Sequence, residues 1–365
     1  MFSTKIELFF SKGQSYNQPM FPTNSTWDQN ATTFANNFTI GTYPYALYID
    51  TNNSIYTINL QNGRILIWMN NSNDPNLILY TNLSPSAVSI FVTTNGQIYV
   101  GEYSSIKQII QFSNSYSNQT TTIATVSSSH IYGLFVDLNN TLYCSMFNGH
   151  KVVKKSLNDS SLTMTTVAGT GSQGSTSNML KFPLGIFVDT NFDLYVADQQ
   201  NNRIQLFRLG QTNGITVAGD TSANLTISLN NPRDVILDGN KYFFIADSSN
   251  HRIIGSDENG FRCIVACSGQ GSASNQLSFP QSIAFDSFGN LFVVDYNNNR
   301  IQKFCLSINL CNRERKKQRF DIFICLFRSN TNHINNLNIN YNNNHVNINN
   351  IDYNNNINNN KCKSK

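Results

Sequence analysis

The fold of this chain of 365 residues is decided by a stretch near its middle. Residues 183–204 read PLGIFVDTNFDLYVADQQNNRI. Two short runs of aliphatic, β-branched and aromatic residues, 186–188 and 194–197, flank a polar tetrapeptide, and an Asn-Asn pair precedes a third run, 204–207. Such runs separated by turn residues are typical of neighbouring antiparallel strands. A fourth run, 215–218, follows, so we interpret the segment as one four-stranded unit.

The same unit recurs along the chain. With Asp189 as the anchor, equivalent positions are separated by 43, 44, 52, 49 and 48 residues. These anchors are Asp50, Thr93, Asp137, Asp189, Asp238 and Asp286. An aromatic residue lies six positions after every anchor: Tyr56, Tyr99, Tyr143, Tyr195, Phe244 and Phe292. A basic residue lies fourteen positions after every anchor: Arg64, Lys107, Lys151, Arg203, Arg252 and Arg300. The aromatic and basic positions keep the same spacing from the anchor in all six copies, which indicates six repeats of one supersecondary unit. We call them the aromatic column and the basic column.

The length of the repeat predicts the architecture. Four short antiparallel strands in 43 to 52 residues have the size of one propeller blade. A single blade exposes two apolar faces, so neighbouring blades must cover each other. We therefore predict an all-β fold: a six-bladed β-propeller of four-stranded antiparallel blades over residues 27–304, preceded by an N-terminal extension, 1–26.

The two ends of the repeat region indicate how the ring closes. The fourth strand of a unit carries a Thr-Thr-x-Ala pattern, as at 121–124 and 165–168, and the same pattern occurs early in the chain, at 32–35. The sixth unit stops at Phe304 without such a strand. We predict that residues 31–35 form the outer strand of the last blade, because this pairing removes an exposed sheet edge.

Composition separates the tail from the repeats. Residues 1–304 hold 16 basic and 18 acidic residues, a net charge of −2, whereas 305–365 hold 9 and 3, a net charge of +6. The tail is basic and then rich in asparagine, and such a polar tract cannot bury enough apolar surface to fold. We predict a disordered tail over 305–365. No apolar run is long enough for a membrane helix and the start is not typical of a signal peptide, so the location stays open.

Three of the units carry a more specific motif. It consists of Ala-Asp or Val-Asp followed, after two residues, by Asn201-Asn202-Arg203-Ile204, Asn250-His251-Arg252-Ile253 and Asn298-Asn299-Arg300-Ile301. These segments resemble NHL repeats. The resemblance implies a propeller and the recognition of protein or RNA on one of its faces. The first three units depart from the motif: Asn59, Glu102 and Met146 replace its aspartate, and in the second and third units Ala87 and Ile131 replace the proline and Ser105 and Gly149 the asparagine.

Charged residues that recur in the last three units form Asp/Arg pairs five positions apart. The pairs are Asp198 with Arg203, Asp247 with Arg252, and Asp295 with Arg300. Residues repeated from blade to blade serve what each blade needs, and sheltered charged hydrogen bonds stabilise turns. We interpret these six residues as structural.

Catalytic residues are expected in one blade only. Zinc catalysis needs three protein ligands, and His130, His150 and His251 occupy positions that do not converge on a blade. No cofactor, metal or catalytic residue is therefore predicted. Glu102 and Asp234 are acids without counterparts in the other units, and they keep open a metal-dependent propeller hydrolase or lyase as the alternative.

RNA binding is a second alternative, and the charge pattern disfavours it. Phosphate recognition needs clustered basic residues, whereas the repeat region has a net charge of −2. Its local cluster, Lys151, Lys154 and Lys155, is interpreted as a solvated outer edge. Cys263 and Cys267, four apart in an expected strand, would be about 13 Å apart at roughly 3.3 Å per residue, so no mutual disulfide is predicted.

One position in the repeat varies freely. It directly follows the proline position and is occupied by Tyr45, Val88, Tyr132, Leu184, Arg233 and Gln281. Inner strands begin there, so these side chains are expected to ring one mouth of the channel, beside the long connections 169–182, 219–231 and 267–279. Loops on a rigid scaffold commonly carry recognition. We predict a non-catalytic scaffold whose partner is a protein or peptide bound at this ring.

Overall fold

The computed structural model describes most of the repeat region and little of the tail. The described residues are 16–61, 63–69, 72–80, 87–102, 107–112, 120–126, 129–161, 163–219, 222, 226–307, 341–342 and 345–346. The chain divides into two compact units, Met1–Ser307 and Ile308–Lys365. Among the described residues, no helix is long and apolar enough to cross a membrane.

Short strands account for nearly all regular structure in the first unit. In chain order they begin with β1 (Thr32–Ala35), β2 (Pro44–Ile49), β3 (Ile55–Asn59), β4 (Arg64–Trp68), β5 (Leu77–Tyr80), β6 (Ala87–Val92), β7 (Ile98–Glu102), β8 (Lys107–Phe112) and β9 (Thr120–Val126). They continue with β10 (Ile131–Val136), β11 (Thr141–Met146), β12 (Lys151–Ser156), β13 (Thr165–Ala168), β14 (Pro183–Val188), β15 (Leu194–Asp198), β16 (Arg203–Phe207) and β17 (Ile215–Gly219). The last are β18 (Pro232–Leu237), β19 (Phe243–Asp247), β20 (Arg252–Asp257), β21 (Gly260–Val265), β22 (Pro280–Phe285), β23 (Leu291–Asp295) and β24 (Arg300–Phe304).

Among the described residues, helical structure is limited to single turns. One short α-helix, α1 (Asn37–Ile40), links β1 to the first blade. Three 3₁₀ turns, Gln199–Asn201, Ser248–Asn250 and Tyr296–Asn298, lie between the second and third strands of the last three blades.

The strands form six four-stranded antiparallel sheets, which confirms the predicted propeller. Blade 1 contains β2–β5, blade 2 β6–β9, blade 3 β10–β13, blade 4 β14–β17 and blade 5 β18–β21. Blade 6 has the order β1-β24-β23-β22. The inner strand of each blade packs against that of the next, and β22 packs against β2, so the blades form a closed ring. The apolar side chains between adjacent blades make the core.

The early strand completes the last blade, as the Thr-Thr-x-Ala pattern predicts. β1 pairs antiparallel with β24, with Thr32 opposite Lys303 and Thr33 opposite Gln302. The pairing extends beyond both strands, since Trp27 bridges Leu306 and the amide of Asp28 donates to the carbonyl of Cys305 at 2.8 Å. Segments from both ends of the unit therefore share one sheet, which leaves no unpaired outer edge on β24.

The anchor aspartates cap the turn between the first two strands of a blade. Asp50 Oδ1 accepts from the amides of Asn52 and Ser54 at 2.9 and 2.8 Å, and the Tyr56 hydroxyl donates to Oδ2 at 3.2 Å. The same hydroxyl contact recurs between Tyr143 and Asp137 and between Tyr195 and Asp189. In these three blades the tyrosine of the aromatic column therefore both packs in the core and donates to the capping carboxylate.

Residues 16–31 cover one end of the ring and part of the outside of the last blades. Tyr16 packs edge-on against Phe91, Phe135 and Phe187 of three neighbouring blades, with ring centroids 5.3–6.5 Å apart. The Asn17 side-chain amide donates to the carbonyls of Asp50 and Phe285 at 2.8 and 3.1 Å. Farther along, Phe21, buried between blades 5 and 6, packs on Phe244 and Phe285.

Two predictions about side chains in the blades are wrong. Cys263 and Cys267 form a disulfide with Cα atoms 5.9 Å apart, because β21 ends at Val265 and Ala266, at φ 58°, turns the chain back. Lys155 is buried rather than on a solvated edge, because β12 is paired on both sides, with β11 and β13. Its Nζ donates to the carbonyls of Asp159, at 2.7 Å, and Ser161.

Little of the tail is described. β25 (Tyr341–Asn342) and β26 (His345–Val346) form a two-residue antiparallel ladder. The prediction of disorder for 305–365 otherwise falls on residues outside those that the structure describes, apart from 305–307, which follow β24 and pair with residues 26–28.

Candidate functional site

All six residues of the variable position line one cavity on the propeller axis. We call their ring the channel mouth: Tyr45, Val88, Tyr132, Leu184, Arg233 and Gln281. The cavity below it, the central cavity, has a volume of about 130 Å³. The structure thus brings together side chains from six blades that lie up to 236 positions apart in the sequence.

The backbone at the start of each inner strand sets this position. The residue before the proline position has a left-handed conformation in four blades: Tyr43, Phe182, Asn231 and Phe279, at φ 60°, 54°, 49° and 55°. The chain then enters β2, β14, β18 or β22, and an irregularity in the pairing follows within the first residues. A bulge of this kind re-aims side chains locally. The variable side chain consequently lies at the axis instead of between blades.

The channel mouth has an apolar side and a polar side. Val88 and Leu184 are buried in its wall, and Tyr45 and Tyr132 lie with ring centroids 5.7 Å apart. On the polar side, Arg233 Nη1 donates to Tyr45 Oη at 3.0 Å and to Gln281 Oε1 at 2.6 Å. Gln281 is itself fixed by donation from Nε2 to the carbonyl of Phe279 at 3.0 Å. Arg233 is therefore held in place by two neutral groups.

The tyrosines near Arg233 stay protonated at neutral pH. Burial raises the pKa of Tyr45, and the nearby Arg233 guanidinium opposes this rise. Burial also raises the pKa of Tyr296, whose ring lies 6.0 Å from that of Tyr45 and 5.5 Å from that of Tyr43. These hydroxyls consequently act as neutral hydrogen-bonding groups beside a cation.

The floor of the central cavity is aromatic. The residue four positions after the start of the inner strand lines it in blades 1 to 4: Tyr48, Phe91, Phe135 and Phe187. Tyr16 and Asn17 line the end that residues 16–31 cover. This floor is apolar, and one end of the cavity is filled by a segment that precedes the first repeat.

Of the residues that the structure describes, Asp234 is the one acidic side chain that lines the central cavity. Its Oδ2 accepts from the Ser282 hydroxyl and the Ile283 amide, both at 3.0 Å, and Oδ1 accepts from the Val235 amide at 2.9 Å. Burial raises its pKa to about 6, and these hydrogen bonds limit the rise. A Cβ atom on Gly185 would clash with Asp234, so this carboxylate packs closely against blade 4 while it bonds to blade 6.

The recurring Asp/Arg pairs lie away from the central cavity, at the long inter-blade connections. Arg203 Nε donates to Asp198 at 2.7 Å, and its Nη1 and Nη2 donate to carbonyls of Ser175, Thr176 and Met179. Arg300 repeats the arrangement with Asp295 at 2.7 Å and with the 267–279 connection. In blade 5, Arg252 pairs with Asp247 at 2.8 Å and donates to Ser228. Each pair thus holds the connection that leads into its own blade.

The three candidate histidines do not come together. His150 and His251 are in left-handed turns, at φ 49° and 56°, and their Nδ1 atoms accept from the amides of Phe182 and Phe279, both at 3.2 Å. Each therefore ties one blade to the next. His130 lies at the start of blade 3, with its ring 6.4 Å from that of Tyr132.

The structure describes only one of the two acids that keep a hydrolase or lyase open. Among the described residues, no three His, Cys, Asp or Glu side chains are close enough together to hold a metal ion. Asp234 lies in the cavity wall, whereas the side chain of Glu102 is outside what the structure describes.

Sequence reasoning missed Tyr296 and Tyr16. Tyr296 directly follows the recurring Asp295 and begins a 3₁₀ turn, so comparison of the three turn sequences, beginning with Gln199, Ser248 and Tyr296, could have shown it as a variable position. Tyr16 precedes the repeats, and no pattern in the sequence assigns it to the channel.

Comparisons with known proteins agree with the fold. The family model for the NHL repeat matches residues 277–304, which contain β22, β23 and β24. No curated protein matches the chain.

Several solved structures are similar. One is a Bacteroides thetaiotaomicron protein of unknown function, 14% identical, with a TM-score of 0.59 over 82% of this chain and 83% of that one. An auxiliary nutrient binding protein from the same species is 14% identical, with a TM-score of 0.57 over 78% and 74%. Virginiamycin B lyase from Staphylococcus aureus is 13% identical, with a TM-score of 0.53 over 73% and 95%. At these identities the likeness shows the fold alone, and one fold hosts unrelated functions.

Proposed function

We propose that this NHL-repeat β-propeller is a recognition module that binds a protein or peptide at the channel mouth. The observation that carries the proposal is that six positions, variable between otherwise similar blades, converge on one cavity. The repeated Asp/Arg pairs hold connections elsewhere. A ring of variable positions that converge on one cavity is what a binding surface on a repeat scaffold needs.

The chemistry of the channel mouth supports a peptide ligand. Tyrosine and arginine are the residues most enriched at the energetic centres of protein interfaces, and the ring combines Tyr45, Tyr132 and Arg233 with apolar Val88 and Leu184. Tyrosines offer a large contact area with few rotatable bonds, so ordering them on binding costs little.

The size of the central cavity supports the same conclusion. A volume of about 130 Å³ is below the 300–1,000 Å³ typical of pockets that enclose a whole small molecule. It accommodates one side chain of a partner, and such an anchored side chain commonly supplies much of the binding energy of an interface.

A binding test uses the full chain immobilised against a displayed random peptide library. Changing both Tyr45 and Tyr132 to Ala is expected to reduce peptide retention by at least about tenfold, because two aromatic contacts of about 1 kcal/mol each are lost. A Phe288→Ala variant is the matched control, since Phe288 is exposed outside the central cavity. Melting curves confirm that the variants fold. Tyr45→Phe removes only the hydroxyl, so it tests the contribution of that group to binding without loss of ring packing.

Other outcomes would contradict the proposal. Retention unchanged in the double variant would reject peptide binding at the channel mouth. Stoichiometric metal in the purified protein would favour the hydrolase or lyase alternative. Retention of single-stranded RNA that depends on the same tyrosines, with no peptide retained, would favour the RNA alternative.

A further inference from the structure

We infer that the group held at the channel mouth is a carboxylate of the bound peptide, gripped side-on by the Nε and Nη2 edge of Arg233. The inference rests on the proposed function and names the chemical class of its ligand. It follows from how the donors of Arg233 are used, from the charge around it and from the shape of the central cavity.

Arg233 uses only part of its donor set within the protein. Nη1 donates to Tyr45 and Gln281, whereas Nε and Nη2 have no acceptor among the described residues. No carboxylate pairs with Arg233 in that part of the chain either. By contrast, Arg203 donates from Nε, Nη1 and Nη2 to four oxygen atoms. A half-buried guanidinium with an open edge differs from the arginines that hold the fold.

The open edge has the geometry for a carboxylate. Nε–H and one N–H of Nη2 point in parallel from a planar guanidinium, and such a fork matches the two oxygens of a carboxylate. Tyr45 and Gln281 hold the opposite edge, so little side-chain freedom is lost when a ligand binds. Phosphate groups usually need several basic side chains, and within the described part of the chain Arg233 is the one basic residue that lines the central cavity. A single positive charge suits a monovalent anion.

Asp234 sets the depth at which the anion binds. Its carboxylate lies in the cavity wall one position beyond Arg233 along β18. With a pKa of about 6 it is ionised at neutral pH, and a second carboxylate beside it would be repelled. The ligand carboxylate therefore stays at the channel mouth, while an apolar group of the ligand reaches the aromatic floor formed by Tyr48, Phe91 and Phe135.

Two sources of a peptide carboxylate fit this arrangement, the end of a chain and an acidic side chain. Three pools of N-biotinylated random octapeptides separate them. The first has a free C-terminal carboxylate and no Asp or Glu, the second is identical but amidated, and the third is amidated with one internal Glu. Retention by the immobilised full chain is measured for each pool with the wild type, Arg233→Met, Arg233→Lys and the variant in which Tyr45 and Tyr132 are both changed to Ala. Arg208→Met, at an exposed position, is the control.

Preferential retention of the first or third pool over the second, by about tenfold or more, is expected for a charged bidentate contact. Arg233→Met should remove this preference, Arg233→Lys should reduce it, and Arg208→Met should leave it unchanged. The first pool alone would identify a chain end as the source, and the third alone a side chain.

Equal retention of the amidated pool without acids would overturn the carboxylate assignment. If that retention still depends on Tyr45 and Tyr132, the proposed function stands and only this inference fails. If no pool is retained in a manner that depends on these tyrosines, both fail. If Arg233→Met retains the carboxylate-containing pools in the same preference as the wild type, the assignment is also overturned, because another group must then bind the carboxylate.

Discussion

At the scale of single residues, what separates structure from recognition is whether a polar side chain has all its partners inside the protein. Asp198 accepts from the Lys181 amide, Asn201 and Arg203, which leaves it no role toward a ligand. Arg233 keeps an open edge at the channel mouth. Arg203 and Arg233 differ in the same way: Arg203 donates from Nε, Nη1 and Nη2 within the protein, whereas Arg233 donates only from Nη1 among the described residues.

Asp234 gives a residue-scale prediction about pH. Its pKa in the folded protein, about 6, lies above the ordinary value of 3.8, so ionisation favours the unfolded chain. The stability linked to this carboxyl is fully present below about pH 3.8 and is lost as the pH rises through 6. Between pH 4 and 7, the wild type should lose about 2 kcal/mol of unfolding free energy relative to Asp234→Asn. Urea unfolding at a series of pH values measures this difference.

Asp257 supplies the control for that series. Hydrogen bonds from Asn259, Asn24 and Arg262, against the effect of burial, lower its pKa, so the sign is reversed. The wild type should gain stability relative to Asp257→Asn as the pH rises from acid toward neutral. A wild type that gains stability relative to Asp234→Asn over the same interval would contradict the account of Asp234.

At the scale of elements, adjacent blades are joined by a repeated turn device. In blades 3 to 6 the residue before the basic column has a left-handed conformation, and its side chain accepts from the amide that leads into the next blade. Asn202 accepts from Asn231 and Asn299 from Tyr43, both at 2.9 Å, while His150 and His251 do the same through Nδ1. Asparagine and histidine are interchangeable here because both tolerate this backbone and both offer an acceptor.

A substitution at this turn tests the interpretation. His251→Asn should change the free energy of unfolding by no more than about 0.5 kcal/mol, because Asn keeps the acceptor and the left-handed backbone. His251→Ala should cost about 1–3 kcal/mol, because it leaves the Phe279 amide without its partner. Chemical unfolding of both variants, with the reciprocal Asn299→His as control, measures the effect. Equal destabilisation by Asn and Ala would show that the turn acceptor is unimportant.

At the scale of the whole molecule, closure of the ring depends on β1. It pairs with β24 and, through Phe34, contacts Phe292 in the same blade and Trp68 in blade 1. Without β1, the β24 edge and part of the apolar surface between blades 6 and 1 would be exposed, and both favour aggregation.

A truncation tests ring closure. A chain that begins at Asn36 should aggregate or unfold at a lower temperature than one that begins at Tyr16, and addition of a peptide of residues 16–35 should restore part of the stability. Light scattering and melting temperature report the two effects. Equal melting temperatures for the two truncations would contradict the role of β1 in closure.

The number of blades, their strand order and the positions at the channel mouth are predictable from the sequence alone. These features repeat, because every unit contains the same local pattern of strands, turns and anchor residues. The motif also placed the Asp/Arg pairs, whose partners are five residues apart. The extra outer-strand pattern at 32–35 and the missing fourth strand after Phe304 together predict how the ring closes.

Tertiary structure alone decided the remaining features. Tyr16 lies ahead of the repeats, and its place in the channel depends on three blades that meet around it. The disulfide between Cys263 and Cys267 depends on a single left-handed residue, Ala266. The pKa of Asp234 and the open edge of Arg233 depend on neighbours in other blades. Local sequence encodes each blade, but charge, burial and open donors at the axis arise only where distant blades come together.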